Sequence, residues 1–222
     1  MITLKSIYKI FNENTPQEFK ALKNINLEIK QGETIILSGV SGSGKSTLLS
    51  IIASLDRPSS GMVSVNGELV SKLPDYHSSL YRSKEIGFIF QHFNLLESLT
   101  VEDNILAPLI PLGIDILEAK EMVNSAMKKA HIEHKAFQSI RELSGGEKQR
   151  CAIARALVRE PNIIICDEPT ANLDKENSLK FIEILHQLSL ENKTIIVATH
   201  DSLFENLNFE SRLIYMEDGI IV

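Results

Sequence analysis

The chain has no tryptophan and only two cysteines, Cys151 and Cys166. Two cysteines cannot build a disulfide framework. Cys166 lies in the apolar run Ile163-Ile164-Ile165-Cys166, where a reduced core thiol is the default. No apolar run approaches the ~18 residues of a membrane span. The opening residues, Met1-Ile2-Thr3-Leu4-Lys5, lack the layout of a signal peptide. The expected location is therefore the cytosol, with membrane association only through a partner. Acidic residues outnumber basic ones: the net charge of −6 argues against broad, sequence-independent binding to nucleic acid. There is no internal repeat and no low-complexity segment. What remains is 222 residues, 43% hydrophobic and 23% charged, enough to bury a core without staples.

The most informative stretch is Gly39-Val40-Ser41-Gly42-Ser43-Gly44-Lys45-Ser46, followed by Thr47. It fits the phosphate-loop pattern of glycine, four residues, then Gly-Lys-Ser/Thr. Thr34 to Leu37 before it reads as a buried strand. Thr47 to Ala53 after it carries Leu48, Leu49, Ile51 and Ile52 in a helical pattern. Strand, glycine-rich turn and helix together aim backbone N–H groups at an anion. Gly42 and Gly44 permit backbone angles that other residues resist. Lys45 is placed to reach the β- and γ-phosphates, and Ser46 to offer its hydroxyl to magnesium.

Around this loop the pattern alternates. Ile2 to Ile10 and Leu22 to Ile29 read as strands, separated by the polar loop Asn12 to Gln17. Met62 to Val65 and Glu68 to Val70 flank Asn66-Gly67, which suits a type I′ hairpin turn. Ile86 to Phe90 is another buried strand. From Phe93 to Gln149 the chain reads as largely helical. Thr100 with Asp103 starts one helix, Pro108 and Pro111 interrupt it, and Asp115 with Glu118 resembles a capping pair for Ile116 to Ala130. Strands resume at Ile163 to Cys166 and Thr194 to Ala198. Leu179, Ile182, Leu185 and Leu188 mark a helix face between them. Leu213 to Met216 and Ile220 to Val222 flank Glu217-Asp218-Gly219 as a hairpin. His131 and His134 are spaced for one helix face. With no carboxylate cluster or cysteine nearby they read as solvated surface, not a metal site.

A second motif narrows the class. Leu143-Ser144-Gly145-Gly146-Glu147-Lys148-Gln149-Arg150 matches the signature sequence of ABC-type ATPases. Ile163 to Cys166 with Asp167 and Glu168 resembles the Walker B strand. Ala171-Asn172-Leu173-Asp174 resembles the D-loop, Gln91 the Q-loop glutamine, and His200 the switch histidine. The resemblance covers nearly the whole chain. One departure is Ser139-Ile140-Arg141-Glu142 before the signature, where the family often has a proline.

The resemblance implies ATP and magnesium as ligands. Gly39 to Thr47 would hold the phosphates, and Ser46, Gln91 and Asp167 the metal. Asp167 ends an apolar strand, where an unpaired carboxylate is costly and a cation is the natural partner. Glu168 is the candidate general base, with a purely water-orienting role as the alternative. His200 would hold Glu168 and the attacking water in line. Ser144, Gly145, Gly146 and Asp174 would act on a nucleotide held by the other subunit. Adenine would stack on Phe11, with Tyr8 as the competing aromatic. Asn192-Lys193-Thr194-Ile195 resembles a guanine-reading motif, but Ile195 replaces its aspartate, so ATP is favoured over GTP.

The implied fold is α/β: a RecA-like P-loop core with an antiparallel β subdomain, and an inserted helical subdomain carrying the signature. Residues 1–91 and 150–222 would form the core and β subdomain, and 92–149 the helical insertion. The implied partners are a second copy of the chain and a separate transmembrane permease, with the chain on the inner face of the membrane. Gly87 to Leu96 and the compact length resemble the ATPases of lipoprotein-releasing and macrolide- or peptide-exporting systems, and the cell-division ATPase. The alternatives are a soluble ABC ATPase acting on nucleic acid, and a cassette that signals through a membrane partner. The first is disfavoured because Lys45 and Ser144 are only about a hundred residues apart with no sustained heptads. There is also one cassette, not two, and no cysteine-rich module.

Overall fold

The computed structural model describes residues 1–222. In the first half, β1 (Ile2–Phe11), β2 (Phe19–Ile29) and β3 (Thr34–Ser38) lead into α1 (Lys45–Ile52). Then come β4 (Ser60–Val65), β5 (Glu68–Leu69), α2 (Asp75–Glu85) and β6 (Ile86–Ile89). Three helices follow: α3 (Val101–Leu106), α4 (Ile116–Lys129) and α5 (Gly145–Leu157). The chain closes with β7 (Ile163–Asp167), α6 (Lys175–Leu190), β8 (Thr194–Thr199), β9 (Arg212–Glu217) and β10 (Ile220–Ile221).

Two sheets result. One is antiparallel, in the order β2-β1-β4-β5. The other runs β10-β9-β3-β8-β7-β6, with β9, β3, β8, β7 and β6 mutually parallel. Parallel strands are covered on both faces and so read as unbroken apolar runs. Period-two alternation then sends neighbouring residues to opposite cores. Ile35, Leu37, Ile163, Ile165, Ile196 and Ala198 join the core shared with α1 and the antiparallel sheet. Ile36, Ile164, Cys166, Ile195 and Val197 join the core shared with α3, α4, α5 and α6. Cys151 and Cys166 are free and buried. Burial pushes the Cys151 thiol up to about 12 and raises that of Cys166 further.

Most expected elements stand where their patterns placed them, and several details differ. Residues 71–85 carry few apolar side chains and no apolar stripe. They nevertheless contain α2, which buries only Ser78 and Tyr81. The 93–99 segment is not helical; Phe93 and Asn94 have φ of +59° and +49°. Val70 leaves the hairpin for a 3-10 turn. The buried face of α6 is Ser178, Phe181, Ile184, Leu185 and Leu188, while Leu179 is 50% exposed. A strict spacing of three drifts off a 3.6-residue helix, which explains that difference. His131 follows α4 in a left-handed turn and His134 lies in a 3-10 turn, so the two do not share a helix face; both are exposed. Thr100 and Asp103 form a full capping box, whereas at α4 Asp115 alone accepts from the N–H groups of Leu117 and Glu118.

Candidate functional site

The C-terminal ends of β3, β7 and β8 converge, which is where open parallel sheets bind ligands. The loop between β3 and α1 turns through two left-handed glycines, Gly42 (φ +83°) and Gly44 (φ +101°). Gly44 is the N-cap of α1, and a Cβ there would lie 2.7 Å from the Ala21 carbonyl oxygen. The loop thus needs glycine twice over at that position, for conformation and for space. The first N–H groups of a helix have no partner within it, so α1 opens toward the cleft as an anion site.

The cleft is lined by Phe19, Ala21, Ser41, Gly42, Ser43, Gly44, Lys45, Ser46, Thr47, Gln91, Glu168 and His200, with a volume of about 260 Å³. Lys45 is 95% buried, and its ammonium donates to the carbonyls of Gly39 (2.6 Å) and Val40 (3.1 Å). It also stands 3.7 Å from Oε1 of Glu168. Ser46 donates from Oγ to Oδ1 of Asp167 at 2.8 Å. Burial raises the Asp167 carboxyl above the usual range, and the Ser46 bond only partly opposes this. Ser43 Oγ is buried with no hydrogen-bond partner. Val40 is 70% exposed on the crest of the loop.

Glu168 directly follows β7 and has φ +44°, rare for a residue with a Cβ. Its N–H donates to the Ala198 carbonyl oxygen on the neighbouring strand, which holds that bend. The bend brings its carboxylate, 12% exposed, to Nδ1 of His200 at 2.9 Å. Thr170 donates to Asp201 (2.8 Å), tying the two strand-end loops together behind the pair.

Gln91 is exposed at the cleft edge, and its backbone carbonyl accepts from the Asn172 amide at 2.9 Å. Arg155 of α5 donates to the carbonyls of Phe93 (2.6 Å) and Asn94. Those bonds hold the two left-handed residues just after Gln91.

Ser144 caps α5 in a capping box with Glu147. The Glu147 carboxylate accepts from the Ser144 N–H (2.8 Å) and hydroxyl (2.9 Å). Ser144 and Gly145 are exposed and Gly146 is buried. Asp174 caps α6. None of these four lines the phosphate-loop cleft of the same chain.

Phe11 is 39% exposed, and the Lys9 ammonium sits 4.9 Å from its ring centroid. It pairs across the sheet with Phe19, which lines the cleft itself, whereas Tyr8 pairs with Ser60 and is half-buried. Sequence reasoning missed Phe19 and Ala21, because their place in the cleft follows from strand register and from no motif.

Comparison with known proteins agrees with this geometry. The family described as "ABC transporter" matches residues 22–171. The lipoprotein-releasing system ATP-binding protein LolD of Saccharophagus degradans is 40% identical over 93% of this chain and 90% of its own length. The macrolide export ATP-binding/permease protein MacB of Chlorobium luteolum is 41% identical over 91% of this chain, which spans 30% of that longer protein. A dimeric structure of the ATP-binding cassette MJ0796 in a post-hydrolysis state, bound to ADP and Pi, has a TM-score of 0.91 and 38% identity. It covers all of this chain and 96% of its own. Family match, full-length relatives and shared fold place this chain in the ABC transporter family, as one of its ATP-hydrolysing cassettes.

Proposed function

We infer that the chain works as a pair of copies beneath a separate transmembrane permease of the lipoprotein-releasing or macrolide-exporting type, each copy completing the other's ATP site. One observation carries this reading. Lys45, Ser46, Glu168 and His200 line one cleft, with Asp167 hydrogen-bonded to Ser46, while the capped start of α5 at Ser144 and Gly145 is exposed and contributes nothing to that cleft. A phosphate-binding helix start with no phosphate site of its own chain to serve is accounted for by a second copy. MJ0796 is described as a dimeric cassette, which supports the same arrangement.

Within the cleft, the N–H groups of Gly42 to Thr47 and the Lys45 ammonium bind the phosphates. Binding transfers Lys45 from two backbone carbonyls to phosphate oxygens. Glu168 accepts a proton from the attacking water, and His200 holds that carboxylate in line. Ser46, Asp167 and Gln91 would hold a magnesium ion. All three offer hard oxygen donors, and the desolvated Asp167 carboxyl gains a counter-charge. Held there, such an ion would supply counter-charge to the phosphates. Adenine stacks at the Phe11–Phe19 edge of the antiparallel sheet.

Residues 92–149 form the arm that carries the signature, and the 1–91 and 150–222 segments form the body; α5 runs through the second boundary. No helix is long and apolar enough to cross a membrane, so association with the inner face of the membrane runs through the permease. The reading is tested with Glu168→Gln in the full chain. ATP with magnesium should shift it from monomer to dimer on sizing, and a chain that stays monomeric at saturating ATP overturns the composite site.

A further inference from the structure

Asn177, in the first turn of α6, fills the space that Gly146 leaves open. A Cβ on Gly146 would lie 2.4 Å from Oδ1, 2.6 Å from Cγ and 2.9 Å from Nδ2 of Asn177. At Gly145 the corresponding Cβ would meet only the Asn172 carbonyl oxygen, at 3.3 Å. The two glycines of the signature therefore differ in kind. Gly145 is the exposed one, and Gly146 is glycine because a carboxamide of the same chain lies against it.

That carboxamide is fully committed. Oδ1 accepts from Nη1 of Arg150, on α5, at 3.2 Å. Nδ2 donates to both carboxylate oxygens of Asp174, at 3.0 Å each. The Asn177 N–H donates to Oδ1 of Asp174 at 2.8 Å. A guanidinium only donates and a carboxylate only accepts, so flipping the amide would break both sets of bonds. One side chain thus spans from the cap of α6, at the end of the D-loop, to the first turn of the signature helix.

We propose that Asn177 is a positioning residue for the composite ATP site. It locks the Asp174 loop and the signature helix into one body, so that both meet the partner copy's nucleotide together. This rests on the two-copy reading above. Within one copy, Asn177 lies outside the phosphate-loop cleft, so it should leave the first encounter with ATP alone. Its effect belongs to closure. Asn177→Ala removes the link. Asn177→Asp keeps the size and the Arg150 contact but sets a second carboxylate against Asp174 with no proton to donate.

The test places both substitutions in the Glu168→Gln background. Loss of a charge-assisted bond predicts that the ATP concentration for half-maximal dimer on sizing rises about tenfold for each. Nucleotide affinity of the monomer, read with a fluorescent ATP analogue, should stay within about twofold of the parent. Asn177→Asp should be at least as impaired as Asn177→Ala, which a cavity effect would not produce. If Glu168→Gln itself fails to dimerise, the two-copy reading falls and the proposal with it. If it dimerises and Asn177→Ala leaves the midpoint unchanged, the proposal alone is overturned. A second measurement needs no dimer. Gly146→Ala should lower Tm, and adding Asn177→Ala should recover part of the loss, whereas simply additive losses would show that the carboxamide does not set the space at Gly146.

Discussion

His200 meets Glu168 through Nδ1 and Oε2 at 2.9 Å. The opposite oxygen of the same carboxylate stands 3.7 Å from the Lys45 ammonium. Glu168 is thus held between an imidazole and an ammonium. The two contacts predict different phenotypes.

Glu168→Gln should retain ATP binding and lose turnover by about a hundredfold or more, because the amide keeps the shape but not the basicity. His200→Ala should lower turnover while leaving nucleotide affinity close to that of the parent. Steady-state phosphate release beside equilibrium binding separates these effects. Wild-type turnover in Glu168→Gln would remove Glu168 as the base.

Lys45→Ala should weaken ATP binding by about ten- to a hundredfold, the span expected for a hydrogen bond to a charged group. The buried ammonium also bridges two loop carbonyls, so the loop loses a brace as well as a cation. Equilibrium binding with a fluorescent analogue checks this, and unchanged affinity would reject the phosphate-loop assignment.

Ser144→Arg should leave monomer ATP binding intact and block the ATP-driven dimer, since a bulky side chain would occupy the exposed start of α5. Sizing of the double variant with Glu168→Gln reads the result. A normal dimer would mean that this helix start faces no second nucleotide.

The Glu147 carboxyl is lowered from 4.5 to about 2, first by the Ser144 N–H that it accepts, with Lys135 at 3.1 Å also contributing. A folded value below the unfolded one gives stability that is present above about 4.5 and is lost as the pH falls toward 2. Glu147→Gln should therefore be less stable than wild type at neutral pH, by about 0.3–1 kcal/mol. The gap in denaturation midpoints should narrow as the pH drops below about 5. A gap that is constant across this range would show that the charge of Glu147 plays no part.

Glu97 and Ser98 are exposed beyond Gln91, while Leu95 packs on the helical core. In an assembled complex with the cognate permease, Ser98→Cys should cross-link to a cytoplasmic loop of that permease, with a yield that changes with ATP. If no cysteine placed from Phe93 to Thr100 cross-links in an active complex, this edge is not the docking site.

The local devices were legible in the order of residues. A phosphate loop, a capped signature helix and an acidic pair ending an apolar strand are each built within about ten residues, and short-range backbone chemistry dictates them. Uninterrupted apolar runs likewise announced the parallel strands. Helix α2 was not legible, because a helix that buries only two side chains leaves no periodic trace. Nor were the cleft positions of Phe19 and Ala21, which follow from pairing β2 against β1, nor the clamp of Arg155 on Phe93 and Asn94 across 62 and 61 residues of chain. The contact of Asn177 with Gly146 belongs to the same group. The sequence alone determined which chemistries the chain carries, since each motif is a short segment with its own hydrogen-bonding logic. The tertiary structure decided which of them face one another, since that depends on strand register and on where distant helices cross, and no local pattern encodes either.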